Sequence, residues 1–224
     1  MVLHKTASDK TGGKLVLAGL ATGLAAWSKN EGLMFLAAML VAHFAVVFRT
    51  SSWREYWRQL RLLASGLLPV FVILVYFKLM LAPASDLATL AGKHPLVAKL
   101  ADPERYLLIA TEVAQRIVPH DLYGFGFVLT LAFWAACARC GTARTRGVAL
   151  GALTFFLLFM GYVAVSVVTP YPLAWHLATS IDRVLLQMWP MFVFVYFLIV
   201  ATPDEILRSS AEAGRKPPGV GGAN

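Results

Sequence analysis

The sequence predicts an all-α fold: a polytopic transmembrane helix bundle of about six spans, with an amphipathic helix on its outer surface. Three observations predict it. Of 224 residues, 58% are hydrophobic and only 14% charged, with a mean hydropathy of +0.67; soluble domains average roughly 45–50% apolar and about 25% charged. The apolar residues are gathered in blocks, and a helix needs roughly 20 of them to cross a hydrocarbon core about 30 Å thick. The basic residues fall mostly in the short stretches between blocks. This composition excludes a disordered chain and argues against a soluble enzyme. The net charge of +8 therefore reads as a topology signal rather than a nucleic-acid patch.

In chain order, residues 1–14 form a basic tail with Lys5, Lys10 and Lys14. Leu15–Trp27 and Leu33–Phe48 follow as a hairpin of two short apolar segments around Lys29-Asn30-Glu31-Gly32. Leu62–Leu81 is the third span, and a long outer loop, 83–121, separates it from Leu122–Cys137. Gly147–Val168 and Met188–Ala201 complete a bundle extending over 15–202. The tail 203–224 is rich in Pro and Gly and reads as disordered from Ser209. A secretory signal peptide is the rival reading of the first block, but no clean small-x-small cleavage site precedes the next one.

Six spans place the N-terminal tail, Arg49–Arg61, Ala138–Arg146 and the C-terminal tail on one side. Arg49, Arg54, Arg58 and Arg61 face a single acid, Glu55, and Arg139, Arg144 and Arg146 face none. The positive-inside rule makes that side cytoplasmic. Lys29–Gly32, Pro83–Asp121 and Thr169–Gln187 then face outward, and Lys93, Lys99, Arg105 and Arg116 in the longest of these count against the assignment. Trp53 and Trp57 suit the inner interface, Trp175 and Trp189 the outer one. Lys78 can snorkel from the outer end of its span, and Pro190 falls in the first turn of the last. Gly19-x-x-x-Gly23 and Gly147-x-x-x-Gly151 allow close helix approach.

Within the outer loop, Asp102-Pro103-Glu104 reads as an N-cap, a proline at N1 and a first-turn acid. Tyr106, Ala110, Val113 and Ile117 recur at helical spacing, with Arg105, Glu112 and Arg116 on a neighbouring face. Pro103–Val118 is thus expected as an amphipathic helix lying on the outer surface or covering a cleft in the bundle.

Two clusters can carry chemistry. Lys29 and Glu31 form a charge pair at a hairpin tip, which could equally be a solvated turn. Along Trp175–Arg183, a helix would put His176, Thr179, Ser180 and Arg183 on one side, next to a stripe of Leu177, Ile181 and Leu185. Arg183 suits an anionic phosphate through its forked donors, or anchors the last span with Asp182. His43 reads as a packing residue, and His94 and His120 lack metal-like partners. Cys137-x-x-Cys140 has no second pair to make a zinc set and no redox fold around it. No metal site, nucleotide loop or nucleophile elbow is legible.

At these clusters the chain resembles a family. Leu17-Ala-Gly-Leu-Ala-Thr-Gly-Leu-Ala-Ala-Trp-Ser-Lys-Asn-Glu-Gly32 is similar to the small-residue helix ending in Lys-x-Glu-Gly of GT-C membrane glycosyltransferases related to protein-mannosyl and aminoarabinose transferases. Trp175-His-Leu-Ala-Thr-Ser-Ile-Asp-Arg-Val-Leu-Leu-Gln-Met-Trp-Pro190 resembles a stretch near the end of bacterial members. The resemblance implies transfer of a sugar, with inversion, from a polyprenyl phosphate to an acceptor on the outer face of the bacterial inner membrane. It implies an acidic general base in the first outer loop, a divalent metal in some full-length members, and basic residues on the departing phosphate. That acid lies upstream of anything in this chain, which therefore resembles the C-terminal portion of such an enzyme, expected to be inactive alone. Both tails are then cytoplasmic. The missing N-terminal half would be a partner or part of the same frame, and the other partners are membrane lipid and the polyprenyl-phosphate-linked sugar. Lys29, Glu31, His176, Asp182 and Arg183 are the candidates for the lipid phosphate or sugar, and no catalytic base is carried over. The alternative is a non-enzymatic polytopic protein, a scaffold or transporter subunit.

Overall fold

The computed structural model describes residues 2–81, 96–117 and 145–200. Every regular element among them is an α-helix: α1 Val2–Ser28, α2 Asn30–Thr50, α3 Trp53–Met80, α4 Leu96–Leu100, α5 Pro103–Ile117, α6 Thr145–Val168 and α7 Leu173–Ile199. Among the described residues, four stretches are long and apolar enough to cross a membrane, namely Asn30–Thr50, Trp53–Met80, Arg146–Val168 and Leu173–Ile199. The chain is an all-α integral membrane protein. Large apolar side chains such as Leu68, Val72, Phe194 and Phe197 point outward from these helices, as lipid-facing residues do.

The expected Leu15–Trp27 span lies inside α1. Its 13 residues rise only about 20 Å, short of the hydrocarbon core, and α1 is not among the four. It packs along α3, the two helices running parallel through backbone contact. A Cβ at Gly19 would overlap the Leu63 carbonyl, and one at Gly66 would overlap the Val16 carbonyl. Gly23 meets Leu67 and Val70 just beyond. The expected Leu122–Cys137 span, and with it Cys137, Cys140, His94, His120 and both tail-side runs 138–144 and 203–224, lie outside the described residues.

α2 returns antiparallel to α1 and joins α6 and α7 through Ala38, Leu158 and Met188. Ala26, Leu36 and Leu74 pack α1, α2 and α3 together at the opposite side of α2. Two ends result. Arg146 donates to the Thr50 carbonyl and, at 3.4 Å, to Ser51 Oγ, so α6 starts at the arginine-rich end where α2 stops. The Lys29 turn, Lys78 and the start of α7 gather at the other.

Helices run further than the apolar blocks. Ser52 caps α3, accepting from the Glu55 N–H at 3.4 Å, so α3 starts nine residues before the expected Leu62. α7 starts at Leu173, not Met188, because the polar stretch Trp175–Gln187 keeps a helical apolar stripe. Leu177 and Ile181 are buried and Leu185 half-buried. Pro190 therefore sits in the helix interior rather than in a first turn, where it forfeits one backbone bond. Trp189 is about 21 Å along the helix from Trp175 and stacks on Phe192, which corrects its expected place at the outer interface.

α5 matches the expected amphipathic helix to within one residue, but it is rotated. Its bundle-facing stripe is Arg105, Leu108, Ile109, Glu112, Val113 and Arg116, whereas Tyr106 and Ala110 are exposed. Ile109, 4% exposed, packs on Val167, Leu173 and Leu177. The charged residues join the buried stripe because the end of α6 offers them acceptors. Arg105 Nε donates to the Val167 carbonyl at 2.9 Å and Lys99 Nζ to the Thr169 carbonyl at 2.8 Å, which satisfies the orphan carbonyls of a helix C-terminus. Asp102 Oδ1 accepts from the Glu104 N–H at 3.0 Å, the expected cap.

Candidate functional site

The turn between α1 and α2 is tight. The Gly32 N–H donates to the Lys29 carbonyl at 3.0 Å, and a Cβ on Gly32 would overlap the Ala25 carbonyl. Glycine in Lys-x-Glu-Gly thus serves close approach, which lets Lys29, Asn30 and Glu31 project together from the hairpin. Glu31 lies in the first turn of α2, where the helix dipole favours a carboxylate.

Lys78 comes to this turn from the last turn of α3, its Nζ donating to Asn30 Oδ1 at 2.6 Å. Arg183 comes from α7, its Nη2 lying 3.3 Å from Glu31 Oε1. These residues rim an open cleft of about 390 Å³ whose floor is Ala26, Leu74 and Phe77 and whose wall includes Trp27 and Ser28. Lys29, Lys78 and Arg183 set three cations against the one carboxylate of Glu31, a net charge of +2 over an apolar floor. An amphiphile with an anionic head suits that arrangement. Beneath, Tyr162 Oη and Gln187 Oε1 are 3.1 Å apart, linking α6 to α7.

The second sequence cluster divides. Arg183 reaches the cleft, whereas Asp182 turns away to α5 and pairs with Arg116 Nη1 at 2.5 Å; this hydrogen bond raises the pKa of the Arg116 guanidinium. His176 is half-buried one turn into α7 and does not line the cleft. The Thr179 and Ser180 hydroxyls donate to carbonyls of their own helix, those of Trp175 and His176, and offer a ligand no proton. His43 is buried on α2, its ring 5.7 Å from that of Tyr56, far along the helix from the cleft.

Sequence reasoning passed over two contributors. Lys78 reads as a snorkelling lysine, although a cation bounding an apolar block is itself a signal of function. Arg116 reads as one of several surface charges, and only the packing of α5 brings it to Asp182. A divalent metal does not fit the cleft, whose single carboxylate is surrounded by cations. Among the described residues, no group of three His, Cys, Asp or Glu side chains gathers to bind one. Comparison of the chain with protein-family models, curated proteins and solved structures finds no match.

Proposed function

We propose that this chain supplies the lipid-phosphate side of a GT-C-type glycosyltransferase, which moves a sugar from a polyprenyl phosphate to an acceptor outside the bacterial inner membrane. One observation carries the reading: the two sequence stretches that resemble the family, more than 150 residues apart, meet at 3.3 Å through Glu31 and Arg183 on a cleft with surplus positive charge. In this reading the cleft end faces outward, and the end bearing Arg49, Arg54, Arg58, Arg61 and Arg146 faces the cytoplasm.

The chemistry follows from the charges. The acceptor hydroxyl attacks the anomeric carbon as the bond to the phosphate oxygen breaks, and that oxygen keeps the electron pair. Lys29, Lys78 and Arg183 stabilise the charge that develops there, while the apolar floor accepts the first part of the polyprenyl chain. The hydroxyl proton passes to a carboxylate base supplied from outside these residues. Glu31 holds Arg183 in position.

A scaffold or transporter subunit is the second reading, favoured by Glu31 and Arg183 being each other's partner. Two variants separate the readings, measured in membranes for protein abundance and for sugar transfer together. Arg183→Lys keeps the charge but loses the fork, and is expected to cut transfer while abundance stays normal. Glu31→Gln combined with Lys29→Met is expected to do the same. Lost abundance in both variants favours the structural pair; undiminished transfer removes these residues from the reaction.

A further inference from the structure

The arginine-rich end carries a second surface, remote from the cleft. α3 has 28 residues, about 42 Å of helix against a hydrocarbon core of about 30 Å. Its charge-free stretch lies between Arg61 and Lys78. The segment from Trp53 to Arg61 therefore overhangs the core and runs through the headgroup layer. Along it, Arg54, Arg58 and Arg61 follow at i, i+4 and i+7 on one face, and Arg49 closes α2 just across the Ser51-Ser52 turn. Glu55, the only carboxylate in Arg49–Arg61, is taken by Arg58 through a two-pronged pair at 2.7 and 2.8 Å. Arg49, Arg54 and Arg61 are exposed and form no ion pair among the described residues. Arg146 has neutral partners, Thr50 and Ser51, so its charge adds to theirs.

Beside these cations lies a collar of rings. Phe48 meets Trp53 edge-on at 5.7 Å, Trp53 meets Trp57 at 5.2 Å, and Tyr56 touches both indoles. Tyr56 is buried, but Phe48, Trp53 and Trp57 are exposed. Exposed indoles at headgroup depth sit where an amphipathic ring is most stable, and unpaired arginines beside them face the layer in which lipid phosphates lie.

We propose that this collar is a binding surface for anionic phospholipid, with Arg49, Arg54 and Arg61 on the headgroup phosphate and Trp53 and Trp57 seated beside the upper acyl chain. The occupant is the lipid rather than a free anion, because the indoles contribute only against acyl chain and glycerol, while clustered juxtamembrane arginines favour an anionic leaflet. The surface is independent of the transfer reaction and holds for either reading of the cleft.

The test uses the full chain in nanodiscs of phosphatidylcholine containing graded phosphatidylglycerol, with bromine on the acyl chains of one lipid or the other and tryptophan quenching as the readout. Brominated phosphatidylglycerol is expected to quench preferentially, and Trp53→Phe with Trp57→Phe to remove that preference. Replacing Arg49, Arg54 and Arg61 together by Gln should reduce the preference on the order of a hundredfold, about fivefold per arginine. The corresponding Arg→Lys triple variant should retain it, and excess inorganic phosphate should not displace the lipid. Equal quenching by both lipids in the wild-type protein overturns the proposal. So does an unchanged preference in the Gln variant, or displacement by inorganic phosphate.

Discussion

Gly19→Ala isolates the contact on which α1 depends, and Gly13→Ala on the same helix is its control. Both substitutions gain the same intrinsic advantage, about 1 kcal/mol for Ala over Gly inside a helix. They differ in what the new methyl meets. Nothing lies within 4 Å of the position it would take at Gly13, whereas at Gly19 it would overlap the Leu63 carbonyl and crowd the Leu67 amide at 3.1 Å. Those atoms are backbone, so no rotamer change relieves the overlap, and α1 must move away from α3 by on the order of 1 Å, forfeiting part of every contact along the crossing. Overpacking of this kind costs about 1–3 kcal/mol, and a backbone neighbour puts it at the upper end. Against the helix-propensity gain, Gly19→Ala should destabilise by about 2 kcal/mol and Gly13→Ala should be neutral or mildly stabilising. Gly66→Ala should behave like Gly19→Ala, because its methyl would overlap the Val16 carbonyl across the same crossing. The double variant should cost less than the sum of the two, since helices already parted for one methyl accommodate the second. Unfolding of the purified protein in mild detergent by added SDS, followed by far-UV circular dichroism, measures all four. Equal stability of Gly19→Ala and Gly13→Ala would refute the backbone contact between α1 and α3.

Further outcomes concern the cleft end and the helix α5. Gly32→Ala should disrupt the turn that presents Lys29 and Glu31, lowering the yield of folded protein more than Gly147→Ala, whose methyl meets nothing within 4 Å. Ile109→Ala removes the side chain that seats α5 on α6 and α7, a loss of about 2–5 kcal/mol for a fully buried aliphatic. Hydrogen exchange should then rise in Pro103–Ile117 while the four long helices remain protected. Asp182→Asn breaks a pair whose carboxylate is 73% exposed, and should cost little stability, visible as a small exchange increase at Arg116. Sugar transfer by that variant should stay near wild type, because Asp182 faces away from the cleft.

The sequence conveyed the class of the fold and the approximate centres of the helices, because a membrane span has to be apolar whatever it packs against. Helix ends were another matter. Hydropathy marks where a helix enters lipid, not where its hydrogen bonding begins, so the overhang Trp53–Arg61 and the polar start of α7 were legible only through the Ser52 cap and the Leu177–Ile181–Leu185 stripe. Gly19-x-x-x-Gly23 signalled close approach without naming its partner; Gly66, a lone glycine in α3, answers it from the other side. The second such motif is half used: Gly151 meets Val195 at 3.1 Å, and Gly147 meets nothing. For α5, apolar residues alone define a stripe that differs from the buried one. Arg105 and Lys99 are drawn inward by unpaired carbonyls at the end of α6, acceptors that no pattern within α5 could disclose. Of the candidate site, Lys29, Glu31 and Arg183 do come together, while Asp182 is turned elsewhere by the 100° step between neighbours on a helix and His176 lies two turns, about 10 Å, away from Arg183 along the same face of α7.

Binding of a polyprenyl phosphate, compared with the polyprenol that lacks the phosphate, tests the proposed role of the cleft most directly. The full chain in detergent should bind the phosphorylated lipid and discriminate strongly against the alcohol, and Arg183→Gln together with Lys29→Met, which leaves only Lys78 against Glu31 in the cleft, should erase that discrimination. Equal binding of phosphate and alcohol, or discrimination that survives the double substitution, would contradict the account.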